Sequence, residues 1–244
     1  MSAMYETEKL VSEYLLFHYG TRTEILPAER IWPGGMVEAL DFPCRTPLHF
    51  STGDVARGLD LGCAVGRATF EMARTCEEMI GLDFSHAFIH AAETLRTGGK
   101  IPYQRLEEAG ITTALFASAP AEVPAHRICF QQGDAMDLPQ TLGTFDRVHA
   151  ANLLCRLPEP LRLLHRLPSL VKAGGELVLA TPCTWLEDFT PSAFWPLHGT
   201  LPWLKEHLGT HFTLLREAEE PFLIRETARK FQWTSSLVTV WRRN

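Results

Sequence analysis

The 244-residue chain has no block of like charge: 23 Lys and Arg and 29 Asp and Glu are scattered along it, leaving a net charge of −6. A nucleic-acid backbone needs a concentrated cationic face, so nucleic acid is not expected as the main partner, whereas small acidic or neutral molecules are compatible. The six cysteines, at 44, 63, 76, 129, 155 and 183, include no Cys-x-x-Cys pair and no tight cluster. That argues against a structural zinc site or a disulfide framework and fits reduced thiols in a cytoplasm. Long apolar runs are missing too. No segment reaches the ~20 apolar residues that a membrane helix needs, and MSAMYETEKLVSEYLLFHYG at the N-terminus lacks the basic stretch and unbroken apolar run of an export signal. A soluble, cytoplasmic protein without membrane contact is expected. There is no internal repeat, no Gly-x-Ser-x-Gly elbow and no His-Glu-x-x-His site, which removes the usual hydrolase signatures. His86 and His90 stand four apart on a predicted helix, as do His207 and His211. Neither pair has the companion glutamate or a third ligand nearby, so they read as solvated faces and no metal is expected.

What is present is an alternation. At 45% hydrophobic residues, the chain can build one sizeable core, and a single domain over 1–244 is expected. From residue 55 onward apolar strands alternate with amphipathic helices. The strands are expected at 55–62, 79–83, 127–134, 145–152 and 175–182, with helices at 68–76, 85–97 and 158–172, the last interrupted by Pro168. Strands apolar throughout and separated by helices imply a parallel sheet covered on both faces. Two final strands, 211–215 and 237–243, lack a convincing helix between them, so the last is expected to run antiparallel at or near an edge. The proline-dotted stretches 98–126 and 183–210 read as insertions, and the aromatic first ~45 residues as a helical cap.

The first strand runs into a glycine turn, GLDLGCAVGRATFEMA at 58–73. A dinucleotide fingerprint would show Gly-x-Gly-x-x-Gly, but here Gly62 is followed by Cys63, Ala64, Gly66 and Arg67, and the third glycine is absent. Asp60 stands two residues before Gly62. This is the arrangement of an S-adenosylmethionine (SAM) site: small residues bring backbone N–H groups near the methionine carboxylate, and the Asp60 carboxylate meets the ammonium directly or through water. Two further acids end the next strands. Asp83, followed by Phe84 and Ser85, lies 21 residues after Gly62 and can accept both ribose hydroxyls, a feature shared with NAD enzymes. Asp134 can accept from the adenine amino group while the Ala135 N–H serves a ring nitrogen. Each acid taken alone also fits a helix cap or turn, but all three fall on the sheet edge where open α/β folds bind ligands. After the fourth strand, Asn152 falls near the transferable methyl group or caps the next segment, with Leu153 and Leu154 able to pack beside the adenine or sulfonium. His149, inside the strand pattern, reads as a packed core residue rather than a general base.

From Asp60 to Pro182 the chain resembles a class I SAM-dependent methyltransferase, whose Rossmann-like fold is a seven-stranded, mostly parallel sheet with a reversed last strand. The stretches YETEKLVSEYLLFHYG, LDLGCAVGRATFEMAR, GLDFSHAFIHAA, AANLLCRLPEP, LPSLVKAGGELVLATPCTWLEDFTP and PFLIRETARKFQW are similar to the 4-mercaptohistidine (5-thiohistidine) N-methyltransferases of ovothiol biosynthesis, enzymes that occur alone or fused behind a sulfoxide synthase. The chain begins at Met with no room for the synthase, so the stand-alone form is expected. The resemblance covers most of the chain but is thin at 101–126 and 196–212. It implies three regions: a cap at 1–45, a SAM-binding core at 55–182, and substrate loops with the last strands at 183–244. The implied reaction moves a methyl group from SAM to the π nitrogen of the 5-thiohistidine ring, giving ovothiol A and S-adenosylhomocysteine (SAH). A sulfonium methyl is already activated, so alignment and a tautomer-selecting acceptor suffice.

With that acceptor in view, the segments following strands four, five and six should converge on the SAM side. Glu187, Asp188 and Glu226 are then candidates for the substrate ammonium, and Arg156, Arg225, Arg229 and Lys230 for its carboxylate. Trp185 and Trp233 would wall the imidazole. Tyr14 and His18, which share a helix face, join Asn152 as catalytic candidates, with Tyr19 beside the substrate. Each also has a plainer reading as a surface charge or packed aromatic. Three rival functions stand beside this one: an NAD-linked oxidoreductase, a non-catalytic SAM-fold subunit supporting a partner enzyme, and a methyltransferase for another small amino acid or carboxylate.

Overall fold

A computed structural model of the chain describes residues 5–244, so the first four residues of the expected 1–45 cap lie outside the described residues. Nine strands form: β1 Val55–Leu61, β2 Cys76–Asp83, β3 Ile101–Glu108, β4 Ile111–Ala117, β5 Ile128–Gln132, β6 Phe145–Ala151, β7 Val171–Thr181, β8 Phe212–Arg225 and β9 Phe231–Arg243. Seven of them make one sheet in the order β5-β2-β1-β6-β7-β9-β8. The first five in this order run parallel, and β9 pairs antiparallel with both β7 and β8. This is the expected seven-stranded sheet with its reversed last strand. The edge belongs to β8, and β9 lies one place in, near the edge as expected.

The strands central to the sheet are buried on both faces because both are covered. Leu59, Leu61, Val148 and Leu177 are fully buried. One face packs beneath α6 (Pro160–Arg166) and α7 (Thr200–Leu208). The other lies beneath α4 (Arg67–Met72), α5 (His86–Arg96) and an N-terminal cap built from α1 (Glu8–Tyr19), α2 (Arg22–Ile25) and α3 (Phe42–Arg45). Several expected boundaries shift. The helix read at 68–76 stops at Met72, because Cys76 already begins β2. The interruption at Pro168 is real: α6 ends at Arg166 and a 3-10 turn spans Leu167–Ser169, as a proline without an N–H requires.

The two stretches read as insertions carry elements of their own. Residues 101–117 form the β3–β4 hairpin, a separate two-stranded sheet turning at Ala109 (φ 52°) and Gly110. It is tied to the cap by Arg105, which donates to the Glu24 carbonyl at 2.7 Å. The stretch 183–210 contains α7, and since that helix ends at Leu208, His207 and His211 do not share a helix. The segment 216–236, expected as a substrate loop, is instead mostly strand. The C-terminal half of β8 and the start of β9 occupy it, joined by a turn at 226–230 in which Glu226 N–H donates to the Lys230 carbonyl.

Candidate active site

The carboxyl ends of β1, β2, β5 and β6 meet the N-terminal cap around one cavity of about 720 Å³, within the range of pockets that enclose a ligand of cofactor size. Its rim is the glycine turn. Gly62 (φ 69°), Ala64 (φ 49°) and Gly66 (φ 91°) are all left-handed, which turns the chain from β1 into α4 within five residues. A Cβ on Gly66 would lie 2.6 Å from the Phe130 ring, so strand and helix approach too closely for any other residue. Ala64 adopts the costly left-handed conformation, and its N–H donates to Asp83 Oδ2 at 2.9 Å.

Four of the turn's N–H groups, those of Gly62, Cys63, Ala64 and Gly66, are engaged within the protein and not left for a ligand carboxylate as the sequence suggested. Gly62 and Cys63 both donate to the Leu82 carbonyl at 2.8 and 3.0 Å, and Gly66 donates to the Cys63 carbonyl. The buried Cys63 thiol borders the cavity, its pKa pushed well up by burial. Asp60 also borders the cavity but is engaged from within the protein. Its Oδ2 accepts from Thr69 Oγ1 at 2.6 Å, and its Oδ1 faces His149 Nδ1 at 2.8 Å. Only its remaining lone pairs are open to an ammonium group or a bridging water.

Asp83 and Asp134 line the same cavity. Asp83 Oδ1 accepts from Ser85 N–H at 2.9 Å, and Ser85 Oγ caps α5 by accepting from Phe88 N–H at 3.1 Å. Burial raises the Asp83 carboxyl to about 6 in spite of the N–H bonds from Ser85 and Ala64 that oppose the shift. Its accessible surface is intermediate, since one flank opens on the cavity. A carboxylate so placed gains from hydroxyl donors, the chemistry a ribose diol brings. Asp134 Oδ1 accepts from Met136 N–H at 2.8 Å, forming a turn that presents Ala135 to the cavity. Phe84, half exposed, and Leu153 complete this flank, with Leu153 against Gly62. Asn152, at φ 54°, does not cap a helix. Its Oδ1 accepts from Ser236 Oγ on β9 at 2.7 Å while it borders the cavity.

The other candidates divide sharply. Tyr14, His18 and Arg156 line the cavity. The Tyr14 and His18 rings stack with centroids 5.8 Å apart. Burial, aided by the Arg67 guanidinium, pushes His18 down to about 3, so its ring is neutral, while burial raises the Tyr14 phenol. Tyr19 does not line the cavity; its hydroxyl donates to the Val65 carbonyl at 2.7 Å and braces the glycine turn.

The remaining substrate candidates are corrected by the structure, for none lines the cavity. Arg225 is a buried staple that donates to the Glu24 and Ile25 carbonyls at 3.1 Å and to Glu107 Oε2 at 2.5 Å. Glu226 and Lys230 pair across the β8–β9 turn, and Arg229 is exposed beside them. Trp185 packs against Trp203 and donates to Thr200 Oγ1 at 3.0 Å, whereas Trp233 lies on the surface, donating to the Gly35 carbonyl. Glu187 and Asp188 are exposed. The loop and hairpin carrying these residues point them away because their strand and packing positions, not their charge, decide direction.

Several lining residues escaped the sequence reading, Glu13, Phe17, Phe42 and Phe222 among them. Glu13 borders the cavity one position before Tyr14, and burial raises its carboxyl while Lys9 opposes the shift. Phe42 and Phe222, with Phe17, close the buried end, with centroids 5.1 to 6.3 Å apart. The signal for Glu13 was its place on the helix of Tyr14 and Phe17; nothing local marked Phe222. Among the described residues, no group of three or more His, Cys, Asp or Glu side chains is placed to hold a metal ion, and no helix is long and apolar enough to cross a membrane.

Residues 59–179, from the heart of β1 to β7, match the family model for a methyltransferase domain. Two curated relatives share this part. O-methyltransferase resE of Aspergillus sclerotiorum is 26% identical over 140 residues, covering 57% of this chain and 45% of its own. Methyltransferase GfsG of Streptomyces halstedii is 25% identical over 130 residues, covering 52% and 39%. The chain thus spans less than half the length of either. Among solved structures, N-methyltransferase NodS from Bradyrhizobium japonicum WM9 in complex with SAH superposes with a TM-score of 0.56 at 14% identity, covering 96% of this chain and 98% of that one. At that identity the likeness is one of fold. The sheet order, the reversed β9 and the glycine turn with its acids define a Rossmann-like fold of the class I methyltransferases. Residues 59–179 thus carry a methyltransferase domain, set in that fold.

Proposed function

We propose that the protein methylates the imidazole π nitrogen of 5-thiohistidine to give ovothiol A. The observation that carries this reading, beside the resemblance in sequence, is one cavity lined by carboxylates, a guanidinium and aromatic rings together. Asp83, Asp134 and the glycine turn occupy the sheet rim. Glu13 and Arg156 are half-buried, while Phe42 and Phe222 are buried beneath the cap. On this reading, SAM lies along the rim with its ribose on Asp83 and its adenine beside Asp134, Ala135 and Phe84, supplying a methyl group already activated by its sulfonium. The acceptor's head is held at the half-buried end: Glu13 offers a carboxylate to the ammonium group, and Arg156 offers the guanidinium donors left over from its bonds to Thr184 and Cys155. The aromatic end accepts the planar ring, stacked near Tyr14 and Phe17, and burial keeps water out of it. Holding both molecules in line lowers the barrier by several kcal/mol without any group that must form a covalent bond.

The test is to incubate the protein with SAM and, in parallel, 5-thiohistidine, histidine and small carboxylates, then locate the added methyl group by mass spectrometry and NMR. Turnover of the thiolated substrate with the methyl on the π nitrogen is expected. Preferred turnover of a carboxylate, or methylation on sulfur, would overturn the reading.

A further inference from the structure

Of the seven buried side-chain atoms without a hydrogen-bond partner among the described residues, three belong to residues that line this one cavity: His18 Nδ1, Thr46 Oγ1 and His149 Nε2. Unpaired buried polar atoms are costly, so three around one space are partners offered to a polar ligand. None of the walls beside them, Phe17, Phe42 and Phe222, carries a charge. The site therefore suits a planar heterocycle with hydrogen-bonding edges better than an amino-acid head.

His149 is the most firmly placed of the three. It sits on β6, the middle strand of the seven, directly opposite Asp60 on β1, and is 1% exposed. Asp60 Oδ1 lies 2.8 Å from His149 Nδ1, while Asp60 Oδ2 is held by Thr69 Oγ1. A carboxylate accepts, so Nδ1 carries the proton, and in the neutral ring Nε2 holds the lone pair. A base oriented by a carboxylate, with a buried, unpartnered nitrogen on a residue that lines a ligand cavity, is a proton acceptor in waiting.

We propose that His149 Nε2, oriented by Asp60, takes the ring N–H proton of a nitrogen heteroaromatic methyl acceptor seated among Phe17, Phe42 and Phe222, with Thr46 Oγ1 and His18 Nδ1 on the ring's other polar edge. This deepens the reaction proposed above and rests on it. As the acceptor's N–H bond breaks, its proton passes to Nε2. The nitrogen uses the electron pair it keeps to bond the methyl carbon, and the carbon–sulfur pair returns to sulfur. The balance is one SAH, one N-methylated acceptor and one proton, which the Asp60 carboxylate stabilises on His149 until solvent removes it. Asp60 is a positioning residue in this scheme, and His149 the catalytic one.

The test begins with the wild-type protein bound to SAH. Long-range nitrogen–proton NMR of His149 should report a proton on Nδ1 and a bare Nε2, and adding imidazole as a ring probe should shift the Nε2 signal. A proton on Nε2, or an Nε2 signal indifferent to imidazole, would overturn the inference whatever the natural acceptor is. His149→Asn keeps a donor toward Asp60 but removes the base, and His149→Gln places a non-basic amide near Nε2. Both should retain SAH affinity and lose about 10²-fold or more in single-turnover methylation, the usual contribution of a general base. Wild-type rates in either variant would also overturn it. If the wild-type protein ignores 5-thiohistidine while His149 shows the expected tautomer and imidazole response, the acceptor assignment fails and the base assignment stands.

Discussion

Lowering the pH should weaken SAH binding through a single carboxyl group. In the ligand-free protein burial raises Asp83 to about 6. If the ribose diol donates to this group, only the carboxylate can receive it, so the bound form titrates lower and binding at acidic pH must expel a proton. Affinity is then full above pH ~7 and falls as pH drops through about 6. At pH 5, one unit below that value, about one Asp83 in eleven is ionised, which weakens binding about tenfold, or about 1.4 kcal/mol. The same shift has a stability sign. The folded protein holds this proton more tightly than the unfolded chain, so the group favours folding below its ordinary value of 3.8 and that benefit is lost as pH rises through about 6. The cost at neutral pH is at most about 3 kcal/mol, and SAH offsets part of it. Calorimetry with SAH from pH 5 to 8.5, on the wild-type protein and Asp83→Asn, reads the effect directly. The wild type should show the acid-side loss; the variant should bind more weakly at pH 8 and show no such slope. A flat wild-type profile, or an equal slope in the variant, would refute the ribose role of Asp83.

Three other outcomes are expected. Ala64→Gly should raise stability by about 1 kcal/mol, or about 2–4 °C in melting temperature, because the φ of 49° is strained for any residue with a Cβ; a lower melting temperature would mean the turn is not strained. Arg225→Met should cost about 3 kcal/mol or more by unfolding, from breaking a buried pair that also holds the Glu24 and Ile25 carbonyls. Steady-state kinetics below the melting point should show an unchanged KM for the acceptor, and a raised KM would restore Arg225 to the substrate site. Glu13→Gln should raise KM for an amino-acid acceptor about tenfold or more, as loss of a charged hydrogen bond predicts, while SAH affinity measured by calorimetry stays put; weakened SAH binding would place Glu13 with the cofactor instead.

Much of the fold was legible because burial writes itself into local sequence. β1 and β6 are buried along most of their length, and the glycine turn follows β1 at once, so strand, turn and acid positions could be read together. The β3–β4 hairpin was not legible, since Pro102 and the charges of QRLEE disguise a short alternating strand whose support comes from α1 and α2. Arg225 looked like a loop charge because its partners lie some 200 residues away in the chain. His149 was correctly read as buried, but its burial conceals a polar role: only the register of β6 against β1 brings it to Asp60. Strand pairing also decided the fate of Trp233 and Phe222. Both lie on the β8–β9 hairpin, yet one faces solvent and the other closes the cavity.

The most direct measurement is a crystal structure with SAH and 5-thiohistidine bound together. The account predicts ribose hydroxyls on Asp83, adenine beside Asp134 and Ala135, and the thiolated ring among Phe17, Phe42 and Phe222 with a ring nitrogen facing the SAH sulfur. SAH lying away from the glycine turn, or the acceptor held by Arg225, Arg229 and Trp233 outside the cavity, would contradict it.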